Sequence, residues 1–203
     1  MQATAERYAG EEYYWGISPS LSCFEVLKHM PPVKPYRLLD IGCGKGRNAV
    51  FFARNGYRVT AFDLEEQGLE KTHRLARNVG VENHLSLFQA DVNEFRLTAE
   101  YDILFSTGVL HYLLEDRREE IFRNYKQHTR KDSLNMFSVF VKKPFISPAP
   151  EQEETARVWL TGELFTFYYD WKIEWCTEEI FDCNSSGVPH RHAVNRMLAR
   201  KGK

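Results

Sequence analysis

The stretch Tyr36 to Asn48, YRLLDIGCGKGRN, constrains the fold of this chain more than any other, because an apolar run carrying one acid passes directly into alternating glycines. Arg37-Leu38-Leu39-Asp40-Ile41 has the length and apolar density of a strand buried on both faces of a parallel sheet. Gly42, Gly44 and Gly46 follow at every second position. Glycine takes left-handed backbone angles freely and has no Cβ to hold a ligand away, so this loop suits the close approach of a small molecule. From Lys45 or Gly46 the spacing becomes helical, with Ala49, Val50, Phe52 and Ala53 inward and Gly56 as the stop.

The next elements sharpen the reading. Tyr57 to Phe62 reads as a second strand, and it delivers Asp63. An acid roughly 20 residues beyond a glycine loop, at the tip of the second strand, is placed to hydrogen-bond a ribose diol. The glycine spacing is G-x-G-x-G, however, and Arg47 stands where the last glycine of a dinucleotide fingerprint would fall. Asp40, just before the loop, would repel a pyrophosphate. A cofactor that carries a cation and no phosphate fits better.

Leu39 to Gly46, followed by Asp63, resembles the first motif and the second-strand acid of class I S-adenosylmethionine-dependent methyltransferases. The resemblance continues through Gln89-Ala90-Asp91-Val92 and through a fourth strand, Tyr101 to Thr107. More narrowly, Gly46-Arg47-Asn48, Tyr14-Trp15-Gly16, Ser106-Thr107-x-Val-Leu and Met197 to Lys201 are similar to the tellurite-resistance methyltransferases. This resemblance implies a doubly wound, seven-stranded, mostly parallel α/β sheet with a C-terminal antiparallel hairpin, and S-adenosylmethionine as cofactor. It also implies that Asp40, Gly42, Cys43, Gly44, Arg47 and Asn48 line the cofactor from the first turn. Asp63 and Leu64 would line it from the second, Asp91 and Val92 from the third, and Ser106 and Thr107 from the fourth. Tyr14 and Trp15 would fold over it.

The chain of 203 residues suits one domain spanning 1–203, with residues 1–30 as an arm and helix closing the site and 142–160 as a candidate lid loop. No run approaches the roughly 20 apolar residues of a membrane span. The N-terminus has no charged-then-apolar signal, and the four cysteines lack paired spacing, so a reducing cytoplasm is the expected setting. A net charge of −1, with 27 basic against 28 acidic residues, offers no field to recruit nucleic acid, and no Asn/Asp-Pro-Pro-Tyr/Phe segment follows strand four. The expected partner is a small-molecule methyl acceptor, and the expected state a monomer or weak homo-oligomer.

Downstream, 65–78 reads as an amphipathic helix, 84–89 as a strand and 115–129 as a charge-rich helix. A fifth strand follows at 134–141 and a short helix at 161–169. His111, just past strand four, is a candidate general base because imidazole titrates near neutral pH. A hydrogen-bonded structural role is the alternative. The segments 171–180 and 188–199 alternate on either side of Asn184-Ser185-Ser186-Gly187 and read as a hairpin. His190 and Arg191 are candidates for handling the acceptor, replacing a His-Arg pair that related enzymes carry where this chain has Phe181-Asp182. His190, His192 and Cys183 suggest a metal site, but no C-x-x-C or H-E-x-x-H spacing accompanies them, and no metal is expected. Methyl transfer to a small nucleophile, a soft thiol or chalcogen anion among them, is the leading function. A nicotinamide-dependent oxidoreductase and a cofactor-binding module without catalysis are the alternatives.

Overall fold

The computed structural model describes residues 17–147, 158–184 and 187–202. Tyr14, Trp15 and residues 148–157 of the expected lid loop lie outside these. Helix α1 (Leu21–His29) precedes strand β1 (Arg37–Ile41), which the glycine loop joins to α2 (Arg47–Arg54). Then follow β2 (Arg58–Asp63), α3 (Glu66–Asn78), β3 (Leu85–Gln89) and β4 (Tyr101–Thr107). Helix α4 (Arg118–Gln127), β5 (Thr129–Val141), the single turn α5 (Glu163–Thr166), β6 (Lys172–Cys183) and β7 (His190–Arg200) complete the described chain.

Among the described residues the strands form one seven-stranded sheet in the order β3-β2-β1-β4-β5-β7-β6. The first five pair in parallel, and β7 runs antiparallel between β5 and β6. The expected sheet and closing hairpin are therefore present. Strand order reverses between β1 and β4, and at such a switch point the loops diverge and leave a crevice at the carboxyl ends of the strands.

Side-chain alternation divides the core between the two faces. Leu38, Val59, Ala61, Ile103, Phe105, Met136 and Leu198 pack with Val26, Phe52 and Ala76 from α1, α2 and α3. Leu39, Ile41, Phe62, Leu104, Phe137, Val139 and Met197 pack on the other face with Phe122 and Tyr125 of α4, and with Trp159 and Tyr168. Burial of each such large side chain contributes about 1.5–3 kcal/mol. Two elements depart from expectation. The fifth strand begins at Thr129 rather than Leu134, through an irregular stretch where Asp132 takes φ 61° and the pairing with β4 shifts register. The helix read over 161–169 is only the turn α5, because Phe165, Phe167, Tyr168 and Trp171 are used in packing against the core and the segment folds around them. No helix among the described residues is long and apolar enough to cross a membrane.

Candidate active site

The glycine loop has little room for change. Gly42, Gly44 and Gly46 all have positive φ, of 71°, 58° and 81°. A Cβ on Gly42 would come within 2.5 Å of the Val109 side chain, and one on Gly46 within 2.4 Å of Thr72. The loop is pinned from below by the Cys43 N–H donating to Phe62 O at 2.9 Å, and from α3 by the Thr72 hydroxyl donating to Gly44 O at 3.1 Å. The Gly44 N–H donates to Asp63 Oδ2 at 2.8 Å, while Asp63 Oδ1 accepts from Glu65 N–H at 3.0 Å. Asp63 thus ties the tip of β2 to the first loop. The carboxylate still has acceptor capacity for a ligand.

Asp40 sits beneath the loop and is 1% exposed. Burial, with the nearby Asp63 charge added, pushes its carboxyl up to about 8, against the pull of Arg47 and a hydrogen bond from the Ala49 backbone. Asp40 Oδ2 has no hydrogen-bond partner among the described residues. Burial likewise raises Asp63, opposed by backbone hydrogen bonds from Glu65, Gly44 and Leu64. Two acids held in a poorly solvated cleft favour a cation or a set of hydrogen-bond donors over phosphate. Cys43 is a buried neutral thiol, raised by burial and then by Asp40 and Asp63, so it is a wall and not a nucleophile.

At the third strand tip, Asp91 Oδ1 accepts from the Asn93 N–H at 2.8 Å and closes an Asx turn. No helix follows β3 directly, so Asp91 caps a turn and not a helix. Val92 beside it is buried, whereas Leu64 at the tip of β2 is 45% exposed and presents an apolar surface at the same edge. Ser106 belongs to the scaffold: it is fully buried, and its hydroxyl donates to Ile41 O at 2.9 Å, joining β4 to β1 instead of lining the crevice. Asn48 is also used internally. Its amide donates to Thr107 Oγ1 at 3.0 Å, and its carbonyl accepts from Ser20 N–H at 2.9 Å and from the Cys23 thiol. Asn48 and Thr107 therefore fix where the segment before α1 meets the crevice. The guanidinium of Arg47 donates to Ser18 O at 3.4 Å in the same segment.

His111 lies in a 3₁₀ turn, Leu110–Tyr112, packed against Tyr112 at 4.2 Å and Phe140 at 5.2 Å between ring centroids. Phe140 stacks in turn on His192 at 4.6 Å. This row was not expected as a unit. Phe140 is the outermost aromatic of the apolar fifth strand, and its place at the strand's carboxyl end was the signal available in the sequence. His190 and Arg191 do not share a face: successive residues of β7 point to opposite sides, so His190 lies on the side of His192 while Arg191 faces away, exposed and opposite Asp182.

A cavity of about 570 Å³ lies at the other edge of the sheet, lined by Arg37, Arg58, His84, Asp102 and Arg130 among others. That edge carries the amino ends of β1, β2 and β4. Ligands of open α/β sheets bind at the carboxyl ends, where Asp40, Asp63 and the glycine loop converge, so the crevice and not this cavity is the candidate site.

Comparison with known proteins bears on the family and the fold. The family model described as tellurite resistance protein TehB matches residues 7–187. A relative from Haemophilus influenzae, described as a probable S-adenosyl-L-methionine-dependent methyltransferase TehB, is 27% identical over 207 residues, covering 99% of this chain and 70% of that protein. The crystal structure of TehB from Haemophilus influenzae superposes with a TM-score of 0.77 at 24% identity, covering 97% of this chain and 65% of that one. A TehB-like methyltransferase structure from Corynebacterium glutamicum gives 0.65 at 18% identity, covering 99% and 100%. The chain thus spans about two thirds of the Haemophilus protein and has the class I methyltransferase fold.

Proposed function

Because the chain belongs to the TehB family of S-adenosylmethionine-dependent methyltransferases, we propose that it moves the methyl group of S-adenosylmethionine to a small, soft nucleophile such as a thiolate or a reduced chalcogen anion. The observation that carries the cofactor assignment is the buried, incompletely bonded carboxyl of Asp40 beneath a loop of three positive-φ glycines. These residues fit a cofactor bearing a sulfonium and an ammonium group and no phosphate. When bound, the cofactor supplies an electrophilic methyl, and alignment with exclusion of water provides much of the rate.

In this reading the backbone of Gly42 to Gly46 meets the amino-acid end of the cofactor and Asp63 takes the ribose hydroxyls. Leu64, Asp91 and Val92 receive the adenine. Tyr14 and Trp15, within an arm of residues 1–30, close the site, and the whole chain acts as one domain. His111 faces the acceptor. It positions an anionic acceptor, or takes its proton where the acceptor arrives protonated. Arg191 has no part in this, since it is on the other face of β7. The family match disfavours the nicotinamide-dependent alternative.

The test is a methyl-transfer assay with labelled S-adenosylmethionine across thiol, selenol, amine and hydroxyl acceptors, for wild type and His111→Ala. Label should pass to the soft acceptors first. His111→Ala should lower turnover roughly 10²-fold or more for acceptors protonated at the assay pH, and less for ionised thiols. Equal losses for every acceptor, with a lowered melting temperature, would make His111 structural.

A further inference from the structure

Cys183 closes β6 directly opposite His190, which opens β7, and His192 lies two residues further along the same face. The register of the hairpin brings together residues that the sequence separates. One ligand atom from each lies within 4.8 Å of the other two, and no other such group of three occurs among the described residues. Each side chain is partly exposed, so an ion could enter.

The two rings are held in place by their surroundings. His190 Nδ1 lies 2.7 Å from Val188 O, which fixes the tautomer with the proton on Nδ1 and leaves a lone pair on Nε2. A backbone carbonyl in this role is the usual outer partner of a metal-binding histidine. His192 is stacked on Phe140 at an interplanar angle of 20° and meets Phe181 at 5.5 Å. Its Nε2 points at that of His190 across 2.9 Å. A tetrahedral ion with metal–nitrogen bonds of about 2.0–2.1 Å holds two such nitrogens about 3.3 Å apart, so a few tenths of an ångström of ring movement would admit it.

The geometry points to a metal site formed by Cys183 Sγ, His190 Nε2 and His192 Nε2 and selective for a borderline-soft divalent ion of the zinc class. Two imidazoles and a thiolate exclude magnesium and calcium, which require oxygen ligands. Three protein ligands leave a fourth position for water or a small molecule, as in open zinc sites. The absence of C-x-x-C or H-E-x-x-H spacing does not weigh against it, because the ligands come together across a hairpin and not along a helix or knuckle. The site shares the carboxyl edge with the crevice, and Phe140 links it to His111.

Cobalt(II) titration of chelator-stripped, reduced full-length protein, followed by displacement with zinc, tests the assignment. One equivalent should bind with the near-ultraviolet thiolate charge-transfer band and the strong visible bands of tetrahedral cobalt, and zinc should abolish both. Cys183→Ser should remove the charge-transfer band. His192→Ala should weaken zinc binding by at least ~10-fold, since even the outer partners of ligands are worth that much. Cys176→Ser, which alters the exposed cysteine of β6, should change neither. A charge-transfer band that survives Cys183→Ser, or no tetrahedral cobalt signal from wild type, would overturn the site. If Cys183→Ser does not fold, His192→Ala decides by the visible bands. The probe is the metal alone, so the outcome is independent of the methyltransferase reading.

Discussion

Asp40 is the most deeply buried acid beneath the crevice, 1% exposed. Burial and Asp63 push its carboxyl up to about 8, above the usual carboxylate range, so between that range and about 8 the folded protein keeps a proton that the unfolded chain releases. Taken alone, this group makes the fold less stable as pH rises through that window and adds no further loss above it. A cation beside Asp40 reverses the preference and favours the ionised form. Binding of S-adenosylmethionine should then release a proton, and affinity should rise with pH by up to about tenfold per unit until it levels near pH 8. Asp40→Asn should flatten the profile, and S-adenosylhomocysteine, without the sulfonium charge, should rise less. Calorimetry from pH ~6 to ~9 measures this directly. A wild-type profile as flat as that of Asp40→Asn would show that Asp40 is not paired with the cofactor.

The glycine loop is the element on which the site is built, and its glycines are not equivalent to those elsewhere. Gly42 and Gly80 share φ 71°, but a Cβ at Gly42 meets Val109 at 2.5 Å while one at Gly80 meets nothing within 4 Å. Gly80→Ala should therefore cost only the left-handed backbone strain, ~1–2 kcal/mol, and lower the melting temperature by about 2–8 °C. Gly42→Ala adds the overlap and should fall further, with cofactor binding lost; scanning calorimetry of the pair separates the terms, and equal drops would contradict the packing. At this scale the sequence was legible where periodicity and turn chemistry coincide: β1, the loop, α2, β2 and the β6–β7 hairpin all stand where their patterns put them. It was less legible where tertiary contacts override local preference. The segment 161–169 reads as a helix, yet its aromatics are drawn into the core and only Glu163–Thr166 remain helical. Ser106 reads as a strand-tip ligand, yet its hydroxyl is consumed by Ile41 O. The Cys183–His190–His192 cluster depends on hairpin register, which a motif spacing along the chain does not encode.

For the whole molecule, a sheet with its reversal between β1 and β4 makes one crevice, and three of the strands around it bring the candidate acids to it. Asp40 comes from β1, Asp63 from β2 and Asp91 from just beyond β3, so the site exists only when the sheet is assembled. Its overall plan was legible because each acid follows an apolar run at a strand end. The aromatic row beside it was not, since His111 comes from the turn after β4, Phe140 from β5 and His192 from β7, and they meet only through ring contacts. The most direct measurement is calorimetric titration of the purified protein with S-adenosylhomocysteine and, separately, with NAD. A single site for S-adenosylhomocysteine, no binding of NAD, and a loss of ~1.5–3 kcal/mol in Asp63→Ala are predicted, the scale of a hydrogen bond to a charged group. Binding of NAD without S-adenosylhomocysteine, or affinity unchanged by Asp63→Ala, would contradict the assignment.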